Sequence, residues 1–314
     1  METILELNNL TKSFGKRRII DGISLKINSG EVVGFLGPNG SGKTTTIKLI
    51  TGLLFPDSGD VKICGYDLKS NFEEAVANLG AIVENPDMYK QFSGRRNLEM
   101  AARIHGGISG SRIEEVIDIV GLRARIDDKV KKYSLGMKQR LGVALAILNK
   151  PRLLIFDEPT NGLDPKGIKE FREIVKNAAH KDGAAVFVSS HMMSEMQLMC
   201  DRVAIVEHGR LIGMEDVAAV VDGAESTYYK IIVSDAVAAE NIINVDFGNV
   251  IKEVSGSPIA NGSAASITFA VTVDGVPGLV RRLTESGVGI YAVQPVGSSL
   301  EDAFINITGG SGIE

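Results

Sequence analysis

The eight residues Gly37-Pro38-Asn39-Gly40-Ser41-Gly42-Lys43-Thr44 carry the most specific chemical signal in the chain. Glycines at this spacing let the backbone wrap closely, so that successive N–H groups converge on phosphate oxygens. A short apolar run, Glu31 to Leu36, leads into the loop, and Ile47, Ile50 and Leu54 follow it at helical spacing. That order of strand, glycine loop and helix adds the positive end of a helix dipole to the same phosphates. Lys43 can then reach the β- and γ-phosphates of a nucleoside triphosphate, and the Thr44 hydroxyl can ligate magnesium. The pattern predicts a Mg-ATP site.

A second reactive pair lies over a hundred positions on. The apolar run Leu153-Leu154-Ile155-Phe156 delivers Asp157 and Glu158 at the carboxyl end of a strand, where ligands sit in parallel sheets. Asp157 can hold magnesium through water, and Glu158 can orient or deprotonate an attacking water. His191 follows another apolar run, Ala185 to Ser190. Its imidazole could hydrogen-bond the γ-phosphate or the attacking water, and a structural role is the alternative.

These residues need a scaffold. Ile23, Leu25 and Ile27 alternate with polar neighbours as in a half-buried strand, and Leu79 to Val83 reads as another strand ending at Glu84. From residue 85 to 151 the pattern turns helical. Ser111 and Glu114 have the spacing of a capping box ahead of Val116, Ile117 and Val120, and a further helix opens after Ser134 and stops before Pro151. Strands return at residues 153–156 and 185–189 around a helix carrying Ile168, Phe171 and Val175, which implies a parallel sheet covered on both faces. A hairpin is expected to turn at His208-Gly209, followed by a small, polar linker over residues 216–227. Residues 228–314 read as an accessory α+β domain with the order β-α-β-β-α-β, which suggests a ferredoxin-like fold with Asn261-Gly262 between its middle strands.

Composition narrows the function further. The 314 residues hold 34 Lys and Arg against 39 Asp and Glu, a net charge of −5, so the basic surface expected of a nucleic-acid coat is absent. Cys64 and Cys200, the only two cysteines, lack disulfide or zinc spacing and read as buried thiols. No secretory signal precedes the first strand, and no apolar run approaches the length of a membrane span. A cytoplasmic chain is expected. Met192, Met193, Met196 and Met199 are expected to pack a helix rather than bind a soft metal.

Taken together, these segments resemble the nucleotide-binding subunit of ATP-binding cassette (ABC) transporters over about residues 2–215. The resemblance implies a P-loop NTPase with a RecA-like parallel-sheet core, residues 1–84 and 152–215, and an inserted helical signature subdomain, residues 85–151. Gly37 to Thr45 resembles the Walker A motif, Leu153 to Glu158 the Walker B motif with its catalytic Glu158, Asn161 to Asp164 the D-loop, and His191 the switch histidine. Phe14 stands where the family places an aromatic ring against adenine, and core packing is the alternative. Glu84 occupies the position of the family's Q-loop glutamine, so the implied magnesium set is Thr44, Asp157 and Glu84. Ser134-Leu135-Gly136-Met137-Lys138-Gln139-Arg140 resembles the family signature. Ser134 and Gly136 match, whereas Met137 and Lys138 depart and add bulk.

In that family the signature and D-loop face ATP held by an opposite subunit, so Ser134, Gly136 and Asp164 are expected at a phosphate in a head-to-tail dimer. The resemblance also implies separate transmembrane permease subunits and a position on the inner face of the cell membrane. Glu84-Asn85-Pro86 and the signature are similar to the branch serving bacitracin resistance and lantibiotic self-protection, which implies export. The alternatives are an importer subunit and a soluble cassette ATPase acting on ribosomes or chromosomes. Against the latter, the chain has one cassette and no sustained heptads.

Overall fold

Leu5 and Leu7 of β1 (Thr3–Phe14) are fully buried, as are Ile23 and Ile27 of β2 (Arg17–Asn28), where apolar and polar residues alternate. The structure, a computed structural model, describes residues 2–84, 86–222, 228–247, 251–259, 262–271 and 273–296. The next elements are β3 (Val32–Leu36), α1 (Lys43–Ile50), β4 (Ser58–Ile63), β5 (Tyr66–Asp67), α2 (Phe72–Ala77) and β6 (Leu79–Ile82). Three helices follow, α3 (Gly94–Ile104), α4 (Gly110–Ile119) and α5 (Leu135–Ile147). The chain then returns through β7 (Leu153–Asp157), α6 (Pro165–His180), β8 (Ala185–Ser190), α7 (Met193–Met199), β9 (Arg202–Glu207) and β10 (Arg210–Asp216).

Two sheets build this first unit. One is antiparallel, in the order β2-β1-β4-β5. The other has the order β10-β9-β3-β8-β7-β6 and is parallel except for the β9–β10 hairpin. The hairpin turns at His208 (φ 47°) and Gly209 (φ 79°), the positive-φ pair that a two-residue turn demands. Every residue of β3, β7 and β8 is buried, as expected of central parallel strands. Apolar residues of both sheets and of α1 share one core, in which the Phe35 and Phe187 rings lie 5.1 Å apart. Met196 and Cys200 sit against Gly34, where an added Cβ would lie 2.9 Å from both sulfur atoms. Met193, Met196 and Met199 are buried in α7, the packing role expected of them. Burial pushes the Cys200 thiol well above its ordinary range, which leaves it unreactive.

Two local expectations are corrected. The cap of α4 is Ser109, whose Oγ accepts the Arg112 N–H, so the helix begins before Ser111. Ser111 is drawn into a hydroxyl pair with Ser109, and Glu114 pairs with Arg95 and Arg123 instead of closing a capping box. The stretch expected to be a linker instead opens with α8 (Val217–Asp222). Its Val-Ala-Ala-Val-Val sequence contains no breaker, Val217 is buried, and the Val217 amide donates to the Asp201 carbonyl at 2.9 Å.

A second compact unit begins at Ala218. It contains β11 (Tyr228–Val233), α9 (Ala236–Phe247), β12 (Ile251–Ile259), β13 (Gly262–Ala270), α10 (Val276–Glu285) and β14 (Ile290–Val296). The strands form an antiparallel sheet in the order β12-β13-β11-β14. Ile231, Val233, Ile267 and Phe269 pack with Ala239 and Ile243 of α9 and Leu279 and Leu283 of α10. The β-α-β-β-α-β order agrees with the sequence, and the hairpin residue Asn261 lies outside the described residues.

Candidate active site

The glycine loop leaves β3 and enters α1 through backbone that only glycine tolerates. Gly42 has φ 108°, and a Cβ there would meet Ile20 Cδ1 at 2.6 Å. At Gly37 a Cβ would meet the Val206 carbonyl oxygen at 2.3 Å. Lys43 opens α1 and is 6% exposed, with its Nζ donating to the carbonyls of Gly37 (2.7 Å) and Pro38 (3.3 Å). The same ammonium lies 3.5 Å from Glu158 Oε1.

Strand β7 brings the carboxylates. Asp157 is 3% exposed at its end, and Glu158 follows with φ 47°. Ser189 of the neighbouring β8 ties the two together: its Oγ donates to Asp157 Oδ1 (2.7 Å) and accepts the Glu158 N–H (2.9 Å). His191 Nδ1 lies 2.8 Å from Glu158 Oε2. Lysine, glutamate and histidine therefore form one chain of contacts across the carboxyl ends of β3, β7 and β8, where the parallel sheet opens.

Above it lies a cleft of about 560 Å³ whose walls include Phe14, Asn39, Gly40, Gly42, Lys43, Thr44, Thr45, Glu158 and His191. Phe14 is 51% exposed at its edge, so the ring is not a core residue. Its strand end is held by Asp57, which accepts from Lys12 Nζ (2.9 Å) and the Ser13 N–H (2.7 Å). The Lys12 ammonium and then the Ser13 amide keep the Asp57 carboxyl below the usual carboxylate range.

Two predicted groups lie elsewhere. Ser134 and Gly136 at the start of α5 share a separate cleft of about 500 Å³ with Gly162, Leu163 and Asp164. Ser134 caps α5 by accepting the Met137 N–H, and Asp164 caps α6 by accepting the Gly167 N–H at 2.8 Å. Glu84, in left-handed backbone at φ 61°, lines neither cleft, and its carboxylate accepts from Lys48 Nζ of α1 at 2.6 Å.

The residues present fit magnesium-ATP. Ser41 Oγ is buried in the loop with no hydrogen-bond partner among the described residues, an orphan that an acceptor from outside would satisfy. Thr44 and Asp157 supply the hydroxyl and carboxylate oxygens that a hard divalent cation takes. Ser189, Arg17 and Ile19 were not singled out from the sequence, and the last two line the nucleotide cleft together with Asn161 of the expected D-loop. Ser189 and Ser190 did leave a signal, as polar residues ending an otherwise apolar strand. Arg17 and Ile19 left none, because their place depends on pairing across the antiparallel sheet.

The ABC transporter family matches residues 20–161. The chain is 44% identical over 309 residues to the ABC transporter ATP-binding protein YhcH of Bacillus subtilis (strain 168), covering 98% of this chain and 97% of that one. It is 36% identical over 315 residues to the bacitracin transport ATP-binding protein BcrA of Bacillus licheniformis, with both chains fully covered. Among solved structures, the dimeric post-hydrolysis state of the ATP-binding cassette MJ0796 bound to ADP and Pi aligns with a TM-score of 0.63 at 25% identity. That alignment covers 68% of this chain and 99% of the cassette. With its phosphate loop, paired carboxylates and full-length relatives, the chain belongs to the ABC transporter family as an ATP-binding subunit, and it is an ATPase.

Proposed function

We propose that this ATPase energises export of a drug or antibiotic peptide through separately encoded membrane subunits at the inner face of the cell membrane. The observation that carries the reading is the full-length similarity to the bacitracin transport protein BcrA. Among the described residues no helix is long and apolar enough to cross a membrane, so the path for cargo belongs to a partner.

When bound, Mg2+ supplies charge neutralisation on the β- and γ-phosphates. The loop amides and Lys43 hold those phosphates, Thr44 and Asp157 offer oxygens to the cation, and Phe14 offers its exposed face to adenine. Glu158 orients the attacking water and draws its proton, and His191 steadies Glu158 through the 2.8 Å contact. The cleft holding Ser134, Gly136 and Asp164 faces the nucleotide of a second copy in a head-to-tail dimer, a role the helix N-terminus at Ser134 supports. Motion passes to the membrane subunits through the helical region of α3 to α5. The second unit is read as ferredoxin-like, which its element order and antiparallel sheet support.

Affinity purification from membranes in mild detergent tests the export reading. Co-purification of a multi-span membrane protein is expected, and recovery of ribosomes or a solute-binding protein in its place would favour the soluble or importer alternatives.

A further inference from the structure

Between the helical region and α6 lies a cavity of about 270 Å³ that shares no wall residue with the nucleotide cleft and adjoins the cleft holding Ser134 and Gly136. Its walls are largely apolar, with Val143 of α5, Pro159 and Leu163 after β7, and Phe171 and Ile174 of α6. Its charged lining residues, Asp118, Arg140 and Glu170, are partly or fully exposed, whereas one uncharged polar side chain is buried. Gln139, only 5% exposed, lines the cavity, and its Oε1 has no hydrogen-bond partner among the described residues. A buried, unpaired amide oxygen carries a desolvation penalty that a donor placed in the cavity would remove.

We infer that this cavity is a binding site for a small, neutral aromatic carboxamide. Size fixes the first part of that description. A dry cavity of about 150 Å³ accommodates one benzene ring, so this one takes a ring with a short substituent. The apolar walls favour the ring, and Gln139 Oε1 requires an N–H beside it. A primary carboxamide supplies that N–H together with a carbonyl, which pairs with the Gln139 side chain whichever way its amide is turned. Charge is disfavoured, because the charged wall residues are already matched, Arg140 with Glu170 and Asp118 with Arg123. Pro159 directly follows Glu158, and Gln139 lies five residues beyond the signature Ser134, so an occupant touches both segments without entering the nucleotide cleft.

The probe is benzamide, titrated into the nucleotide-free full-length protein with ¹³C-labelled isoleucine and valine methyl groups. Saturable shifts at Ile174 and Val143 are expected, and they should persist in saturating Mg-ATP. Gln139→Leu is expected to weaken benzamide by about tenfold, the worth of one hydrogen bond, and to prefer ethylbenzene, which has a similar shape without the amide. Ile174→Trp, at a partly exposed position, is expected to fill the cavity and abolish the shifts. The inference is overturned by an absence of saturable shifts in the parent, by displacement with Mg-ATP, by an unchanged preference for benzamide in Gln139→Leu, or by undiminished binding in Ile174→Trp.

Discussion

Replacing Ser189 with alanine tests the geometry of the carboxylate pair most severely, because one hydroxyl serves both acids. Ser189 is fully buried, donating to Asp157 Oδ1 at 2.7 Å and accepting the Glu158 N–H at 2.9 Å. Alanine removes a hydrogen bond to a charged group and leaves a backbone N–H unpaired. Each loss is worth about 1–3 kcal/mol, so a destabilisation of about 2–6 kcal/mol is expected. For a unit of this size that lowers Tm by on the order of 10 °C. Glu158, held at φ 47°, loses the anchor that aims it at the attacking water. The rate of phosphate release should therefore fall by about 10- to 100-fold with little change in KM for ATP. Differential scanning fluorimetry and steady-state phosphate release measure both effects. Ser190→Ala is the control, since Ser190 Oγ accepts the Met192 N–H at 2.9 Å, on the side of α7 and not of the acids. If Ser189→Ala melts and turns over like the parent, the hydroxyl does not position the acids and the reasoning fails.

Three further outcomes are expected. Glu158→Gln should retain ATP binding while turnover falls by about a thousandfold or more, and undiminished phosphate release would remove Glu158 from the chemistry. Glu84→Gln removes the negative charge from the 2.6 Å contact with Lys48 and should shift the magnesium dependence of hydrolysis while leaving the enzyme active; superimposable magnesium titrations would show the charge to be irrelevant. Asp21 is held below the usual carboxylate range by Arg210 first and Arg18 second. Its contribution is present above the unfolded-state value and is lost as pH falls through the lower folded value. Asp21→Asn should accordingly lower Tm at neutral pH, with the gap closing in acid, and a gap independent of pH would rule out the ion pairs as its cause.

Much of the site was legible because its chemistry is local in sequence. The loop from Gly37 to Thr44 needs glycines at fixed positions, since Gly37 and Gly42 have no room for a side chain, and such a constraint shows in the residue types themselves. Asp157 was legible for a related reason, as an acid ending a wholly buried strand. The long antiparallel strand β1 was harder to see. Its buried positions are interrupted by register shifts against β2, which breaks the alternation that reveals a strand. At α4 the spacing of Ser111 and Glu114 read as a capping box, whereas Ser109 caps the helix and Glu114 pairs with Arg95 and Arg123, partners remote from it in sequence. The bond from Ser189 to the acids joins residues more than thirty positions apart, and no local pattern encodes it.

Isothermal titration of the purified chain with Mg-ATP, beside Lys43→Ala, tests the central claim most directly. The account predicts saturable heat for the parent and its loss in the variant, because the ammonium beside Glu158 is what receives the phosphates. Heat absent from both proteins, or equal in both, would contradict it.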